Sequence, residues 1–187
     1  MLFRSGKVRL GLSSMLPRDI ACVGLEIVPD VFHARFSAWG KTYRYVIDNR
    51  PVRDPFWSGR ALHIFRTLDW PAMDGALAEL AGAHDFTSFR GPRCEHRNPL
   101  RVIDSATHTE VEGRHRLEFS GQGFLRYQIR IMVGTLLEIG LGKRPADDIP
   151  RILDARDRSA AGRTALPDGL YLVAVRYPPL ATVHPEE

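Results

Sequence analysis

Residues 124–141, FLRYQIRIMVGTLLEIGL, repeat their apolar positions with the period of an α-helix. On a helical wheel Leu125 and Ile129 fall on one arc with the apolar residues that follow, which predicts a helix with one buried face. Arg126 and Arg130 lie at the edge of this arc, one turn apart. Because the start of a helix favours anions, two cations placed there either turn to water or meet an anionic partner.

Shorter patterns predict the other helices and strands. Asp69 is the expected N-cap of a helix that has Pro71 in its first turn. Tyr43 and Tyr45 alternate with polar residues, as in a strand with one buried face. The complete prediction has helices over residues 2–15, 69–82, 124–141 and 148–155, and strands over residues 20–28, 41–47, 61–65, 101–111, 115–120 and 169–177.

The order of these elements predicts an α+β fold, with an antiparallel-rich sheet and helices on one face. The patch DNRPVRDPFWSG resembles a linker and indicates a domain boundary near residue 55. Residues 1–55 hold too few elements for a core of their own, so we expect an incomplete N-terminal half with apolar strands exposed. Residues 56–187 are expected to form a C-terminal α+β domain.

Composition narrows the class of protein. The 187 residues are 44% hydrophobic and 26% charged, which is ordinary for a soluble globular protein. Every apolar run falls short of the roughly 18 residues of a membrane span. Cys22 and Cys94 form no CxxC pair, and His96 beside Cys94 gives too few ligands for a structural zinc site. We therefore expect a cytoplasmic protein without a bound metal.

The excess of arginine among the basic residues has two explanations, an anionic partner and codon bias in a GC-rich genome. Arginine supplies 23 of the 26 lysines and arginines, and its planar fork matches phosphate. Residues 84–101, HDFTSFRGPRCEHRNPLR, mix arginines with aromatic rings. Such a segment suits contact with a nucleic-acid backbone, with rings that stack on bases. The alternative, which composition favours slightly, is a solvated loop whose phenylalanine rings enter the core. The residues concerned are Arg90, Arg93, Arg97 and Arg101, with Phe86 and Phe89.

Six segments, in order along the chain, resemble the tRNA pseudouridine synthase A family. They read LPRDIACVG, DVFHARFSAWGKTYRYVIDN, AGAHDFTSFR, NPLRVIDSATH, GFLRYQIRIMVGTLLEIGLGKRP and AGRTALPDGLYLVAVRYP. The resemblance implies an isomerase that converts uridine to pseudouridine in the anticodon stem-loop of tRNA. It also implies two α+β halves that flank a basic cleft, no cofactor, and usually a homodimer.

The resemblance also implies roles for particular residues. Tyr43 matches the active-site tyrosine, which stacks on the uracil and is a candidate acceptor of its C5 proton. Arg130 matches the basic residue that pairs with the catalytic aspartate, whose carboxylate attacks either the base or the sugar. RNA contacts are expected from arginines in three parts of the chain: Arg35, Arg90, Arg93, Arg101 and Arg126.

The chain departs from the family at the catalytic aspartate. In the family that aspartate lies in a GRTDAGVHA-like stretch in the first third of the chain, and the opening of this chain resembles the helix and strand that follow the stretch. The similar AGRTA of residues 161–165 has Ala165 in the aspartate's place and continues into the family's C-terminal strand, so we reject it as the active-site motif. We therefore expect a synthase chain without its nucleophile, from a truncated or misread gene. Arg130 would then be exposed or paired with a different carboxylate. Asp168 is the first carboxylate to test if the chain is active. The alternative is a non-catalytic RNA-binding or dimerisation module.

Overall fold

The computed structural model of the protein describes residues 5–94 and 98–179. Their contacts form two compact units. The smaller unit contains the residues up to Ser37 together with those from Tyr177 onward, and the larger unit is Ala38–Arg176. The predicted division into residues 1–55 and 56–187 stays a prediction.

The smaller unit begins with helix α1, Ser5–Met15, in agreement with the predicted helix over residues 2–15. The predicted strand over residues 20–28 is wrong, because this stretch has no ladder partner within the described chain. Its side chains Val23 and Ile27 are exposed. Extended backbone becomes a strand only where a neighbour satisfies its N–H and C=O groups. The apolar pattern alone therefore overestimated this strand.

The larger unit is built on one mixed sheet. Within the described residues the sheet has six strands in the order β2-β1-β5-β4-β3, and β6 also pairs with β1. All pairs are antiparallel except the short β1–β2 pair. The strands are β1 Gly40–Asp48, β2 Leu62–His63, β3 Gly82–Asp85, β4 Leu100–Val111, β5 Arg114–Gly121 and β6 Leu170–Arg176. The predicted antiparallel-rich α+β fold is confirmed.

Helices α2 (Trp70–Ala78), α3 (Gln128–Gly140) and α4 (Asp148–Ala155) share a hydrophobic core with the sheet. Tyr45 and Ile47 of β1 are completely buried in this core. The expectation of exposed apolar surface is therefore wrong for β1, since β5 and β6 flank it on both sides. No described helix is long and apolar enough to cross a membrane.

Local signals explain several of the element boundaries. The Asp69 side chain accepts a hydrogen bond from the Ala72 N–H at 3.0 Å, so the predicted N-cap of α2 is confirmed. Glu112 and Gly113 have φ values of 53° and 71°, which gives the tight turn between β4 and β5 the backbone twist of a hairpin. Strand β3 was not predicted, because its sequence GAHD carries none of the β-branched or aromatic residues typical of strands.

Helix α3 begins four residues later than predicted. Tyr127 has a φ of 63°, a left-handed conformation that cannot continue a right-handed helix. The Gln128 side chain then accepts a hydrogen bond from the Leu125 N–H at 2.7 Å and ties the preceding turn to the helix start. Arg126 consequently lies outside the helix, while Arg130 lies in its first turn.

Candidate active site and RNA-binding residues

Strand β1 presents two tyrosines to the helical face of the sheet. The half-buried Tyr43 ring meets the Phe124 ring edge-on, with centroids 5.3 Å apart, and burial raises the pKa of Tyr43. The fully buried Tyr45 donates its hydroxyl to the Leu166 carbonyl at 2.6 Å. Burial raises the pKa of Tyr45 far above its ordinary value, although the nearby charge of Arg130 opposes the shift. Both phenols therefore stay protonated near neutral pH.

Arg130 is half-buried and is held by backbone atoms. Its Nε donates to the Ala165 carbonyl at 2.7 Å, and its guanidinium carbon lies 5.2 Å from the centre of the Tyr127 ring. Within the described residues it has no carboxylate partner, and its terminal nitrogens make no hydrogen bond. Arg130 was expected to be either exposed or paired with a carboxylate. It is half-buried instead, and its partner is the Ala165 carbonyl.

The AGRTA segment of residues 161–165 is a strap that lies along α3. The Gly162 N–H donates to the Thr135 hydroxyl at 2.9 Å, and the Arg163 N–H donates to the Glu138 carboxylate at 3.0 Å. A Cβ atom on Gly134 would overlap the Arg163 carbonyl oxygen, so only glycine admits the strap this close to the helix. Through these contacts the segment packs against α3, and it positions the Ala165 carbonyl that Arg130 binds.

Tyr127 is a candidate site residue that sequence reasoning missed. The guanidinium carbons of Arg126 and Arg130 lie 5.1 and 5.2 Å from the centre of its ring. A hydrogen bond with Arg126, and the charges of Arg126, Arg130 and Arg93, lower the pKa of Tyr127. The signal available in the sequence was the pair of arginines around this tyrosine in FLRYQIR.

A loop preceding β4 reaches the start of α3 and adds a further arginine. The Gly91 N–H donates to the Arg126 carbonyl at 2.8 Å, and a Cβ atom on Gly91 would overlap the Tyr127 ring. The Arg126 side chain donates to the Arg93 carbonyl at 3.4 Å. The structure thus brings Arg93 and Arg126, both predicted to bind RNA, together beside Arg130.

Of the other predicted RNA-binding arginines, two bind backbone carbonyls close to them in sequence, and one lies in the smaller unit. Arg90 donates to the Cys94 carbonyl at 2.8 Å, and Arg101 donates to the carbonyls of Asn98 and Leu100 at 3.0 and 2.6 Å. Arg35 belongs to the smaller unit, where its guanidinium lies 5.5 Å from the Phe36 ring centre.

The aromatic residues of the arginine-rich segment belong to the core. Phe86 and Phe89 are completely buried, with ring centroids 6.1 Å apart. The idea that they stack on bases is wrong, and the alternative, that they enter the core, is confirmed. His96 and Arg97 lie outside the described residues.

Asp168 is exposed and makes no ion pair with Arg130. It lines a small pocket of about 180 Å³ together with Asp48, Asp54 and His63. Burial is the main cause of the raised pKa of Tyr45, and the charge of Asp168 adds to it. Across residues 5–94 and 98–179, no group of three histidine, cysteine or acidic residues is arranged to hold a metal ion.

Comparisons with known proteins identify the family. Residues 76–178 match the family model described as tRNA pseudouridine synthase. The chain belongs to the tRNA pseudouridine synthase family.

Curated relatives are similar over most of this chain. It is 41% identical to tRNA pseudouridine synthase A of Bordetella petrii over 180 residues, which cover 90% of this chain and 63% of that protein. It is 40% identical to the Streptococcus thermophilus enzyme, with 91% of this chain and 70% of that protein covered. For the Limosilactobacillus reuteri enzyme the identity is 43%, with 91% and 67% covered. The chain thus spans about two thirds of the length of these relatives.

Proposed function

We propose that this chain supplies the tyrosine and arginine side of the active site of a tRNA pseudouridine synthase. The reaction isomerises uridine to pseudouridine in the anticodon stem-loop of tRNA. The observation that carries the proposal is the state of Arg130: its Nε is fixed on the Ala165 carbonyl, and its terminal nitrogens have no partner among the described residues. A fixed guanidinium with unused donors is suited to receive a carboxylate in a bidentate pair.

The carboxylate expected at Arg130 is the catalytic aspartate, which we place outside these 187 residues. In the isomerisation the bond between C1′ of the ribose and N1 of the uracil breaks, and a bond between C1′ and C5 forms. The C5 proton is lost and N1 gains a proton. Arg130 would hold the aspartate carboxylate ionised and oriented during these steps, because a neighbouring cation favours the charged form.

Tyr43 is proposed to stack on the uracil. Its ring is held by the edge-on contact with Phe124, and burial keeps its phenol protonated. A protonated phenol is a poor acceptor for the C5 proton, so the stacking role is favoured over the proton-accepting one. Tyr45 lies deeper and supports the site through its hydrogen bond to Leu166.

Two arginines close to the start of α3, Arg93 and Arg126, are proposed to bind the tRNA backbone. Arg93 and Arg126 meet beside Tyr127, where their positive charge suits a phosphate. Contacts from Arg90, Arg101 and Arg35 remain part of the proposal, as do a homodimer and a cytoplasmic location. The self-contacts of Arg90 and Arg101 would have to be exchanged for contacts with RNA.

Tritium release from tRNA that carries 5-tritiated uridine tests this assignment. We expect no release with the purified chain alone. We expect release when the separately produced segment of the Bordetella petrii relative that this chain does not cover is added. The Arg130→Met variant should fail in that mixture. Release by the chain alone that is lost in Asp168→Ala would instead make Asp168 the nucleophile.

The second candidate is a non-catalytic RNA-binding or dimerisation module. It is favoured by the absence of a carboxylate beside Arg130 in the described part of the chain. Binding of tRNA, or dimer formation in sedimentation, without tritium release even in the mixture would support this candidate over the enzyme.

A further inference from the structure

A groove of about 510 Å³ lies on the face of the sheet opposite to the tyrosines. Side chains alternate along a strand, so Arg44 on β1 points away from the face that carries Tyr43 and Tyr45. The groove is lined by arginine and aromatic side chains of β1, β5, β6 and the turn that follows β1: Arg44, Phe56, Trp57, Arg60, Arg116 and Tyr171.

An ionic network fixes the turn that forms the rim of this groove. The Asp54 carboxylate accepts a hydrogen bond from the Phe56 N–H at 3.0 Å and starts a 3₁₀ turn, Pro55–Trp57. The same carboxylate pairs with Arg114, whose guanidinium carbon lies 4.2 Å from the centre of the Trp57 ring. The ring of Trp57 therefore packs against the Arg114 guanidinium, which is itself paired with Asp54.

The rim presents an aromatic ring to solvent. Phe56 is 87% exposed, although it belongs to a turn that Asp54 and Arg114 anchor. Exposing a large ring on an ordered turn forgoes the free energy of its burial. A base that stacks on the ring would recover part of that free energy.

The charge of the groove is unbalanced. Arg44 is paired with Glu118 at 2.6 Å, but Arg60 and Arg116 have no carboxylate partner among residues 5–94 and 98–179. The Tyr171 hydroxyl donates to the Arg60 carbonyl at 2.6 Å, which holds the backbone of Arg60 against β6. Two uncompensated guanidinium groups therefore flank an apolar floor.

We propose that this groove binds a single-stranded segment of RNA, with phosphates at Arg60 and Arg116 and a base on Phe56. Positive grooves with stacking rings bind single strands in this way. A symmetric contact with a second copy is disfavoured, because it would bring unpaired arginines of both copies together while Glu118 is already used. The proposal rests on the proposed function, since it assigns a second contact for the same RNA substrate.

Anisotropy of a fluorescein-labelled oligouridylate, titrated with the full chain over a series of potassium chloride concentrations, tests this groove. Phe56→Ala should weaken binding by about tenfold through the lost stacking. Arg60→Ala and Arg116→Ala should each reduce the salt slope of the affinity by about one unit. Arg60→Lys keeps the charge and should preserve the slope.

A matched pair of controls lies outside the groove. Phe65 and Arg66 are both exposed and neighbour each other, with 5.9 Å between the guanidinium carbon and the ring centre. Phe65→Ala and Arg66→Ala should leave both affinity and slope unchanged. Equal circular dichroism spectra and melting temperatures would confirm that the groove variants are folded.

The outcomes separate this inference from the proposed function. If all groove variants keep wild-type affinity for the oligouridylate while Arg93→Ala and Arg126→Ala lose affinity, RNA binding at the groove is overturned and the proposed RNA site at Arg93 and Arg126 is kept. No binding by the wild-type chain would overturn both. Loss of a dimer in Phe56→Ala, with unchanged RNA affinity, would assign the groove to a second copy of the chain and overturn the inference.

Discussion

Arg130 and Ala165 are joined by two hydrogen bonds that run in opposite directions. The Arg130 Nε donates to the Ala165 carbonyl at 2.7 Å, and the Ala165 N–H donates to the Arg130 carbonyl at 2.9 Å. The strap of residues 161–165 thereby fixes the orientation of the guanidinium group. Only one donor of the side chain is used, so the arginine is oriented before any carboxylate reaches it.

Removing the Arg130 side chain should destabilise the fold. In Arg130→Met the charge-assisted bond to Ala165 is lost, and the free energy of unfolding should fall by about 1–2 kcal/mol, since the site is only half-buried. Urea denaturation followed by circular dichroism measures this change. Arg126→Met, which removes an exposed arginine outside the helix, should change stability by less than about 0.5 kcal/mol. An equal decrease in the free energy of unfolding of both variants would contradict a stabilising role for the hydrogen bond between Arg130 and Ala165.

A methyl group on Gly134 should separate the strap from α3. In Gly134→Ala the new Cβ overlaps the Arg163 carbonyl oxygen, a backbone atom that cannot move away as a side chain can. We expect a loss of about 1–3 kcal/mol in urea denaturation.

Gly75 provides a matched control for this substitution. It lies within α2, and no atom approaches the position that a Cβ would take there. Gly75→Ala should therefore stabilise the protein by about 0.5–1 kcal/mol through the better helix propensity of alanine. A Gly134→Ala variant as stable as wild type would show that the strap does not lie against the helix in solution.

Sequence patterns predicted the elements that are governed by local signals. The helix Asp148–Ala155 was predicted at its observed bounds, and the Asp69 cap followed from its residue type and its neighbour Pro71. The start of α3 was misplaced, because the periodic pattern continues through Tyr127 while its backbone is left-handed. The predicted strand over residues 20–28 failed because pairing depends on distant segments.

The candidate site was predictable only in part. Arg130 was reached through resemblance to a family, and helical periodicity alone only placed it at the edge of an apolar arc. Its contact with Ala165 depends on a strap 35 residues further along the chain, which no local pattern encodes. For Phe86 and Phe89, composition left base stacking and core packing both open with a slight preference for the core, and their complete burial confirms the core.

Tyr127 should ionise at a lower pH than Tyr43 and Tyr45. The hydrogen bond and charge of Arg126, with the charges of Arg130 and Arg93, stabilise the phenolate and lower its pKa. Burial raises the pKa values of Tyr43 and Tyr45 instead. A spectrophotometric titration of tyrosinate absorbance should therefore show an early phase that disappears in Tyr127→Phe.

The Arg126→Met variant is the control for the cause of this shift. Removing the guanidinium that contacts the phenol should move the early phase toward the ordinary tyrosine range of about pH 10. Tyr45→Phe should leave the early phase intact and remove ionisation at the most alkaline end. An early phase that persists in Tyr127→Phe would assign the ionisation to another residue.

His115 should make the stability of the fold depend on pH in the acid range. The Trp70 ring stacks on the His115 ring with centroids 3.6 Å apart, and burial lowers the pKa of His115. The neighbouring charge of Glu110 opposes this shift, whereas His108 adds to it. The unfolded chain therefore binds a proton to this imidazole more readily than the folded chain. The free energy of unfolding should fall as the pH drops below about 6.5, the ordinary histidine value.

His115→Phe keeps an aromatic ring on Trp70 but removes the titrating group, so its unfolding free energy should fall less steeply between about pH 7 and 5. The His108 ring remains in both proteins, with its Nδ1 2.7 Å from the Asp74 carboxylate. Urea denaturation at a series of pH values measures the difference between the two profiles. Parallel profiles for wild type and His115→Phe would contradict a lowered pKa of the half-buried His115, while a steeper profile in the variant would reverse the sign of its contribution.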